Sequence, residues 1–214
     1  MKKNVITLLA FLNVLLMPGL SFAAGGNNES SVPSCNRILV VGLNDNVSSN
    51  HFLLSDLAEA SATNVDSLSQ LYNRIIIDNL SRNAREKGIG ISAPTTEGGA
   101  HWEKILKNAV LDGEFEDRTS DLSRVDADKF RNAMAGENAG YLLTLDCHYL
   151  KYQERPLLTL FHFVNYSLYD INEKKVASGQ YYFTSFAPQN QKEMEKSSEK
   201  ITRKILASIA KELE

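Results

Sequence analysis

Two stretches in the last third of the chain decide the fold: GYLLTLDCHYLKY at residues 140–152 and FVNYSLYDINEKKVASGQYYF at residues 163–183. Segments 141–152 and 157–170 alternate in polarity and are rich in leucine, tyrosine, phenylalanine and valine, which is typical of β-strands. Turn residues at 153–156 and 170–175 divide them from each other and from a similar segment at 176–186. This pattern predicts a three-strand antiparallel meander.

Upstream of the meander, the apolar residues follow other patterns. Arg37–Leu43 is a nearly continuous apolar run, which predicts a strand buried on both faces. Ser67 with Gln70 fits a capping box, and apolar residues at helical spacing continue to Lys87–Gly88. Shorter patterns predict a strand at 88–92 and a helix at 101–111. Two further helices are predicted, one that Asp126 caps and that ends near residue 140, and one at 191–214. The segment 113–124 has no regular pattern.

This order of elements predicts an α+β (mixed α/β) fold. Helices between the early strands and a later antiparallel meander indicate a mixed sheet with helices packed on it, closed by an amphipathic carboxyl-terminal helix. We expect residues 37–214 to form one globular domain, preceded at 24–36 by a flexible leader rich in glycine, asparagine and serine.

The first 23 residues have the order of a secretory signal peptide. Two lysines precede an apolar run from Val5 to Leu16, Pro18–Gly19 ends that run, and Ala23 is the expected cleavage point. The run is shorter than the roughly 20 residues that a membrane-spanning helix needs. We therefore expect a bacterial protein that is periplasmic or secreted, with no integral membrane segment after cleavage.

Charge and motifs exclude several classes of function. The formal net charge is −3 and no basic block is present, so nucleic acid is not expected as a partner. No dinucleotide fingerprint, phosphate-binding loop or nucleophile elbow occurs in the sequence. These observations favour a protein that is not an enzyme and has no cofactor.

The two cysteines, Cys35 and Cys147, adjoin predicted strands. In an oxidising compartment such a pair forms a disulfide if its Cα atoms lie within about 7 Å. The sequence leaves open whether they are paired.

Three residues of the meander form a candidate metal site. His148 and His162 lie on the two arms of one predicted hairpin, and Asp146, two residues from His148, is expected to share its face. A zinc site needs three or four such ligands. The alternative is a pair of half-exposed histidines without a metal.

The aromatic residues of the meander form a second candidate site. They provide a possible sugar- or peptide-binding surface, for which the candidates are Tyr149, Phe161, Phe163, Tyr166 and Tyr182. The alternative is core packing, because aromatic rings pack well across a pleated sheet.

The order of the segments resembles a group of bacterial envelope domains. The opening strand, SLSQLYNRIIIDNLSRN at 67–83, the meander and the closing helix are similar to the TolB amino-terminal region, the curli-secretion lipoproteins and the penicillin-binding-protein activator lipoproteins. The resemblance covers most of residues 37–214, although the lipid-attachment motif of many relatives is absent. It implies a binding module that docks on another envelope component.

Three hypotheses follow. The leading one is a non-catalytic exported module that docks on another cell-envelope protein, which an exposed apolar patch or an unpaired sheet edge favours. The second is a small-ligand or carbohydrate-binding protein that uses the aromatic strands, which a deep aromatic pocket favours. The third is a metal-dependent hydrolase around the two histidines.

Overall fold

The structure is a computed structural model that describes residues 34–50 and 54–213. In it, the predicted meander forms the larger part of a six-stranded sheet. The predicted signal peptide and most of the predicted leader lie outside these residues. The strands are β1 (Ser34–Gly42), β2 (Val47–Ser49), β3 (Gly90–Ser92), β4 (Val110–Asp112), β5 (Thr119–Asp121), β6 (Ala139–Gln153), β7 (Thr159–Asp170) and β8 (Lys175–Ser185). The helices are α1 (Leu54–Ala60), α2 (Leu68–Arg85), α3 (Thr96–Leu106), α4 (Ala127–Gly136) and α5 (Gln191–Glu212).

The strand order of the main sheet is β3-β1-β6-β7-β8. Strands β1 and β3 are parallel, as are β1 and β6, whereas β6, β7 and β8 form the antiparallel meander. The short β2 continues the line of β1 and pairs in parallel with the second half of β6. The predicted α+β fold with a mixed sheet is therefore confirmed.

One face of the sheet is covered along its whole length by α2 and α5. The apolar stripes of these helices pack on alternate residues of the central strands, including Val40, Leu143 and Val164. Polar side chains join the two helices, since Asn79 donates to Ser198 Oγ at 2.8 Å and Asn83 to Thr202 Oγ1 at 2.8 Å. We call this side the helical face.

Only part of the other face carries helices. Here α3 and α4 pack on Leu39, Leu142 and Tyr169, where Trp102 and Phe130 meet edge to face with 5.9 Å between their ring centroids. The second half of β6, with its neighbours in β7 and β8, extends beyond these helices. This arrangement leaves an open half of the sheet.

A β-bulge in β6 changes which residues point to which face. The pairing with β7 shifts between Leu145 and Cys147, so Asp146 is the extra residue. Asp146 accepts a hydrogen bond from Ser167 on β7, and Ser167 pairs with Thr144. Asp146 therefore lies on the face opposite to His148, and the prediction that these two share a face is wrong.

Three local predictions also need correction. Helix α3 begins at Thr96 because Thr95 caps it, accepting from the Gly98 N–H at 3.2 Å. Ser67 makes no capping bond; Asn64 caps a preceding 3-10 turn instead. The segment 113–124, expected to be irregular, contains β5, which pairs with β4 as a two-stranded ribbon.

No helix within the described residues is both long and apolar enough to span a membrane.

Candidate functional site

Five rings lie together on the open half of the sheet. Tyr149, Phe163 and Tyr182 are directly opposite one another on β6, β7 and β8, so their side chains point to the same side. Phe161 lies two residues from Phe163 on β7 and therefore shares this face. Phe115 comes from the 3-10 turn that joins β4 to β5. We call these five residues the aromatic face.

The rings form a continuous chain of contacts. Phe115 is 5.5 Å from Tyr149, and Tyr149 is 6.3 Å from Phe163, measured between ring centroids. Phe163 is 6.1 Å from Phe161 and 5.5 Å from Tyr182. These separations lie within the 4.5–7 Å range over which aromatic pairs attract each other. Each ring therefore supports its neighbours in a defined orientation.

The outer rings of the aromatic face are exposed to solvent. Tyr182 is 54% exposed and Phe115 53%, whereas Tyr149, whose ring contacts that of Phe115, is only 4% exposed. The face thus has a buried base and exposed apolar rings at its margins. Large exposed apolar residues that cluster in this way are typical of binding surfaces on soluble proteins.

Polar contacts hold the turn that carries Phe115 against the sheet. Lys151 Nζ and Glu116 Oε1 are 2.8 Å apart, and this contact lowers the pKa of Glu116 and raises that of Lys151. Asn165 donates to the backbone oxygens of Glu116 and Arg118, and Gln180 also donates to that of Glu116. Bonds from three strands therefore fix the position of Phe115.

Tyr166 does not belong to the aromatic face, although the sequence suggested it. It is fully buried on the helical face, where its ring stacks on Tyr181 with 6.4 Å between centroids. A Cβ atom at Gly179 would come within 2.8 Å of the Tyr166 hydroxyl. Gly179 is therefore needed to let this ring lie against β8.

The far end of the meander adds further exposed apolar residues. Leu157 and Leu158 in the β6–β7 hairpin are 70% and 46% exposed, and Phe186 after β8 is 76% exposed. The pairing of Leu160 with Ser185 brings Phe186 to the same end of the sheet as the hairpin. These residues add exposed apolar side chains at the end of the sheet to which Phe161 is nearest.

The two candidate metal ligands on the hairpin are both buried on the helical face. His148 Nε2 lies 2.9 Å from the Asn73 side-chain oxygen, which only accepts, so Nε2 carries the proton. His162 Nε2 lies 2.9 Å from Ser185 Oγ, and its ring stacks on Phe183 with 4.4 Å between centroids. The histidines are thus held by polar and aromatic neighbours.

Burial keeps both histidines neutral. It lowers the pKa of His148 to about 3, with a smaller contribution from His162, and lowers the pKa of His162 to about 4. A cavity of about 10 Å³ lies beside both rings, which is room for one water at most. Among the described residues, no three His, Cys, Asp or Glu side chains are placed to hold a metal ion.

Asp146, the third candidate ligand, lies in a cluster of hydroxyl groups on the opposite face. It accepts from Thr144 Oγ1 at 2.7 Å and from Ser167 Oγ at 2.6 Å. Ser120 on β5 links Thr144 to the Tyr169 hydroxyl, with 2.9 Å to each. Burial raises the pKa of Asp146 despite these bonds. The cluster attaches the β4–β5 ribbon to the main sheet.

Cys147 is a buried free thiol whose pKa is raised by burial. The disulfide that the sequence left open is not formed, because Cys35 adjoins the start of β6 whereas Cys147 lies in the middle of that strand. The backbone at Ser34, next to Cys35, pairs with Ala139, whereas Cys147 lies eight residues farther along that strand. Eight residues of extended chain span about 26 Å, far more than a disulfide bridges.

Sequence reasoning missed two features of the site. Phe115 lies in the segment 113–124, in which no regular pattern was found, although a single phenylalanine among the acidic residues at 112–117 was a signal of contact elsewhere. The amide cluster beside His148 was also missed: Asn46 donates to Asn73 Oδ1 at 2.9 Å, and Asn73 donates to the Leu43 oxygen at 3.1 Å.

No protein-family model matches the chain, and no curated protein sequence matches it. Several solved structures overlap with it in part. The hypothetical protein CT253 from Chlamydia trachomatis is 11% identical and has a TM-score of 0.45, over 83% of this chain and 98% of that one. The PelC dodecamer from Paraburkholderia phytofirmans is 10% identical and has a TM-score of 0.39, over 78% of this chain and 85% of that one. The LpoB C-terminal domain from Salmonella enterica is 13% identical and has a TM-score of 0.31, over 69% of this chain and 82% of that one.

One of these structures, LpoB, comes from the penicillin-binding-protein activator lipoproteins, a group to which the sequence is similar. With TM-scores below 0.5, these overlaps carry no argument about function. The function has to be inferred from the residues of this chain.

Proposed function

We propose that the chain is a non-catalytic binding module of the bacterial cell envelope that docks on another envelope protein through the aromatic face. The observation that carries this proposal is the continuous chain of five rings on a sheet half that helices α3 and α4 leave uncovered. Aromatic residues are enriched at the centres of protein interfaces, where they supply most of the binding energy.

The polar groups around the rings suit a protein interface. The Lys151–Glu116 ion pair and the Gln180 amide lie at the border of the aromatic face. A binding surface commonly has an apolar centre and a polar rim of this kind. The exposed Leu157 and Phe186 enlarge the apolar area toward the end of the meander.

The buried titratable residues support a role without catalysis. His148 and His162 are neutral in their packed sites on the helical face, and Asp146 is enclosed by hydroxyl groups on the other side of the sheet. Hydrolysis would require these residues to be accessible to a substrate and to lie close to one another. The location in the envelope rests on the signal peptide predicted at residues 1–23.

A carbohydrate ligand is the second candidate, favoured by one observation. The rings of Phe161 and Phe163 are nearly parallel, with 21° between their planes, and lie side by side on β7. Two such rings provide a flat platform for the apolar face of a sugar chain. The neighbouring Tyr182 is tilted by 58° and 47° to them, which fits a protein surface better than a flat polymer.

The experiment compares capture of envelope proteins by three forms of the chain. A photo-crosslinking residue replaces Thr184, which is exposed on β8 beside Phe161. It is introduced into the wild type, into the double variant Phe161→Ser/Tyr182→Ser, and into the control Val65→Ser/Ile171→Ser. The control removes two exposed apolar residues, 43% and 39% exposed, from other places on the surface.

We expect one envelope protein to be crosslinked by the wild type and the control and lost in the aromatic variant. Circular dichroism and urea unfolding check that all three forms are folded. Equal capture by all three forms would contradict docking through this face. Binding to a panel of envelope glycans that the aromatic variant abolishes, without any protein crosslink, would support the carbohydrate alternative instead.

A further inference from the structure

The β8 strand is a long edge without protection. It has 11 residues and pairs with β7 on one side only. Within the described part of the chain, no other segment forms a backbone hydrogen bond with its outer side. Edge strands are usually guarded by charges or proline, yet the ten residues from Val176 to Ser185 contain neither. The outward backbone groups of β8 are thus available to another strand.

A groove runs beside this edge, between β8 and α5. It has a volume of about 510 Å³ and is lined on β8 by Gln180–Thr184. On α5 it is lined by Ser197, Lys200, Ile201 and Lys204, which are one turn apart on one side of the helix. An extended chain added to β8 would therefore pass along these α5 residues.

The groove carries positive charge that the chain itself does not neutralise. Lys200 and Lys204 are both exposed, and neither forms an ion pair with any described residue. The neighbouring Arg203 differs, since it points away from the groove and contacts Glu199 Oε1 at 2.6 Å. Two unpaired ammonium groups beside a free strand edge are complementary to carboxylates on an incoming strand.

We propose that this groove binds an extended acidic segment of a partner protein, which adds to β8 as a further strand. Backbone hydrogen bonds to β8 supply the pairing, and carboxylates at alternate positions of the segment contact Lys200 and Lys204. The side chains of a strand alternate between faces, so every second residue of the segment faces α5. The groove adjoins the aromatic face through Tyr182, but Lys200 and Lys204 line only the groove and Phe161 belongs only to the aromatic face, so substitutions at these residues distinguish the two sites.

The same lysines disfavour a second copy of the chain as the occupant. Antiparallel pairing of β8 with β8 of another copy would place both α5 helices on the same side of the joined sheet. The lysine pairs of the two copies would then face each other across the junction. Like charges placed opposite one another destabilise an interface, so the lysines select an acidic strand over self-association.

The test uses the purified full chain and a dye-labelled ten-residue peptide of alternating threonine and glutamate. A peptide of alternating threonine and lysine is the control ligand. Fluorescence anisotropy measures binding to the wild type, to Lys200→Glu/Lys204→Glu, and to Lys104→Glu/Lys107→Glu, which makes the same charge change at the carboxyl-terminal end of α3. Amide hydrogen exchange on β8, with and without peptide, reports strand addition.

We expect the acidic peptide to bind the wild type and the α3 variant, with affinity reduced about tenfold or more in Lys200→Glu/Lys204→Glu. Raising the salt from 50 to 300 mM should weaken binding, and alternate amides of β8 should become protected from exchange. Phe161→Ser should bind the peptide as the wild type does, even if it fails to capture the envelope protein.

Three results would overturn the proposal. The first is equal binding of the acidic and the basic peptide, and the second is binding that the α5 charge reversal leaves unchanged. The third is a dimer of the wild-type chain, seen by light scattering, in which the β8 amides are already protected without peptide.

Discussion

Lowering the pH from 7 to 5 is expected to destabilise the folded chain through His148 and His162. Burial lowers their folded-state pKa values to about 3 and about 4, whereas in the unfolded chain each titrates near 6.5. Between these values the unfolded chain binds more protons than the folded chain. The free energy of unfolding therefore falls as the pH falls below about 6.5.

The size of this effect follows from the pKa differences. At pH 5 each histidine of the unfolded chain is about 1.5 pH units below its pKa, and each unit corresponds to about 1.4 kcal/mol. Each therefore contributes about 2 kcal/mol and the pair about 4 kcal/mol, a large part of the 5–15 kcal/mol typical of a folded domain. Asp146 and Glu173 act in the opposite sense, because their raised pKa values stabilise the folded chain as the pH falls.

Urea unfolding at pH 7, 6 and 5, followed by circular dichroism, measures this dependence. The matched variant is His148→Gln/His162→Gln, because the glutamine amide places an N–H near the position of Nε2 and does not titrate. We expect the double variant to lose most of the pH dependence and each single variant about half of it. Asp146→Asn removes the main opposing group and should make the dependence steeper.

Two results would refute this reasoning. One is a free energy of unfolding that is the same at pH 7 and pH 5 in both the wild type and Asp146→Asn. The other is a decrease of about 4 kcal/mol that persists in His148→Gln/His162→Gln, since it would then arise from other groups.

Further predictions concern packing around the sheet. Gly42→Ala should destabilise the chain by about 3 kcal/mol, because its Cβ would lie 2.0 Å from Asn73 Cγ. Gly136→Ala has open space around it and should stabilise α4 by up to about 1 kcal/mol. Urea unfolding compares the free energies of unfolding of the two variants with that of the wild type. Cys147 should react with a thiol reagent at least about a hundredfold more slowly in the folded than in the urea-unfolded chain, since burial raises its pKa; equal rates would contradict its burial. Asn165→Val should release the turn at 115–117, and we therefore expect faster reaction of Cys147 with the thiol reagent and weaker docking through the aromatic face. An unchanged rate of the Cys147 reaction would show that other contacts hold the turn.

The sequence was sufficient to predict the meander and the long helices because each has one buried face and therefore a clear period. It was insufficient for β4 and β5, since three residues are too few to show alternation. The start of α3 was misplaced because Gly98 and Gly99 suggested a loop, although the cap at Thr95 allows both glycines inside the first turn.

The candidate sites were harder to predict because they depend on which face a residue occupies. The candidate surface combined Phe161, Phe163 and Tyr166 although alternation along β7 separates Tyr166 from the other two, and the structure places Tyr166 on the helical face. The bulge at Asp146 has no sequence signature, yet it moves that carboxyl away from His148. Phe115 also belongs to the aromatic face, but it lies on a turn that is far from the meander in sequence. The periodicity of a strand cannot indicate such a contact.

The pairing of β1 with β6 also has a consequence for the order of folding. Leu39 lies beside Leu142, so the first strand meets its central neighbour only about 100 residues later in the chain. The meander, by contrast, joins strands that follow one another directly. Contacts between distant residues slow folding, because a long loop must close before they form. The pairing of β1 with β6 therefore cannot form until residues 139–145 are available, whereas β1 and β3 can pair within the amino-terminal half alone.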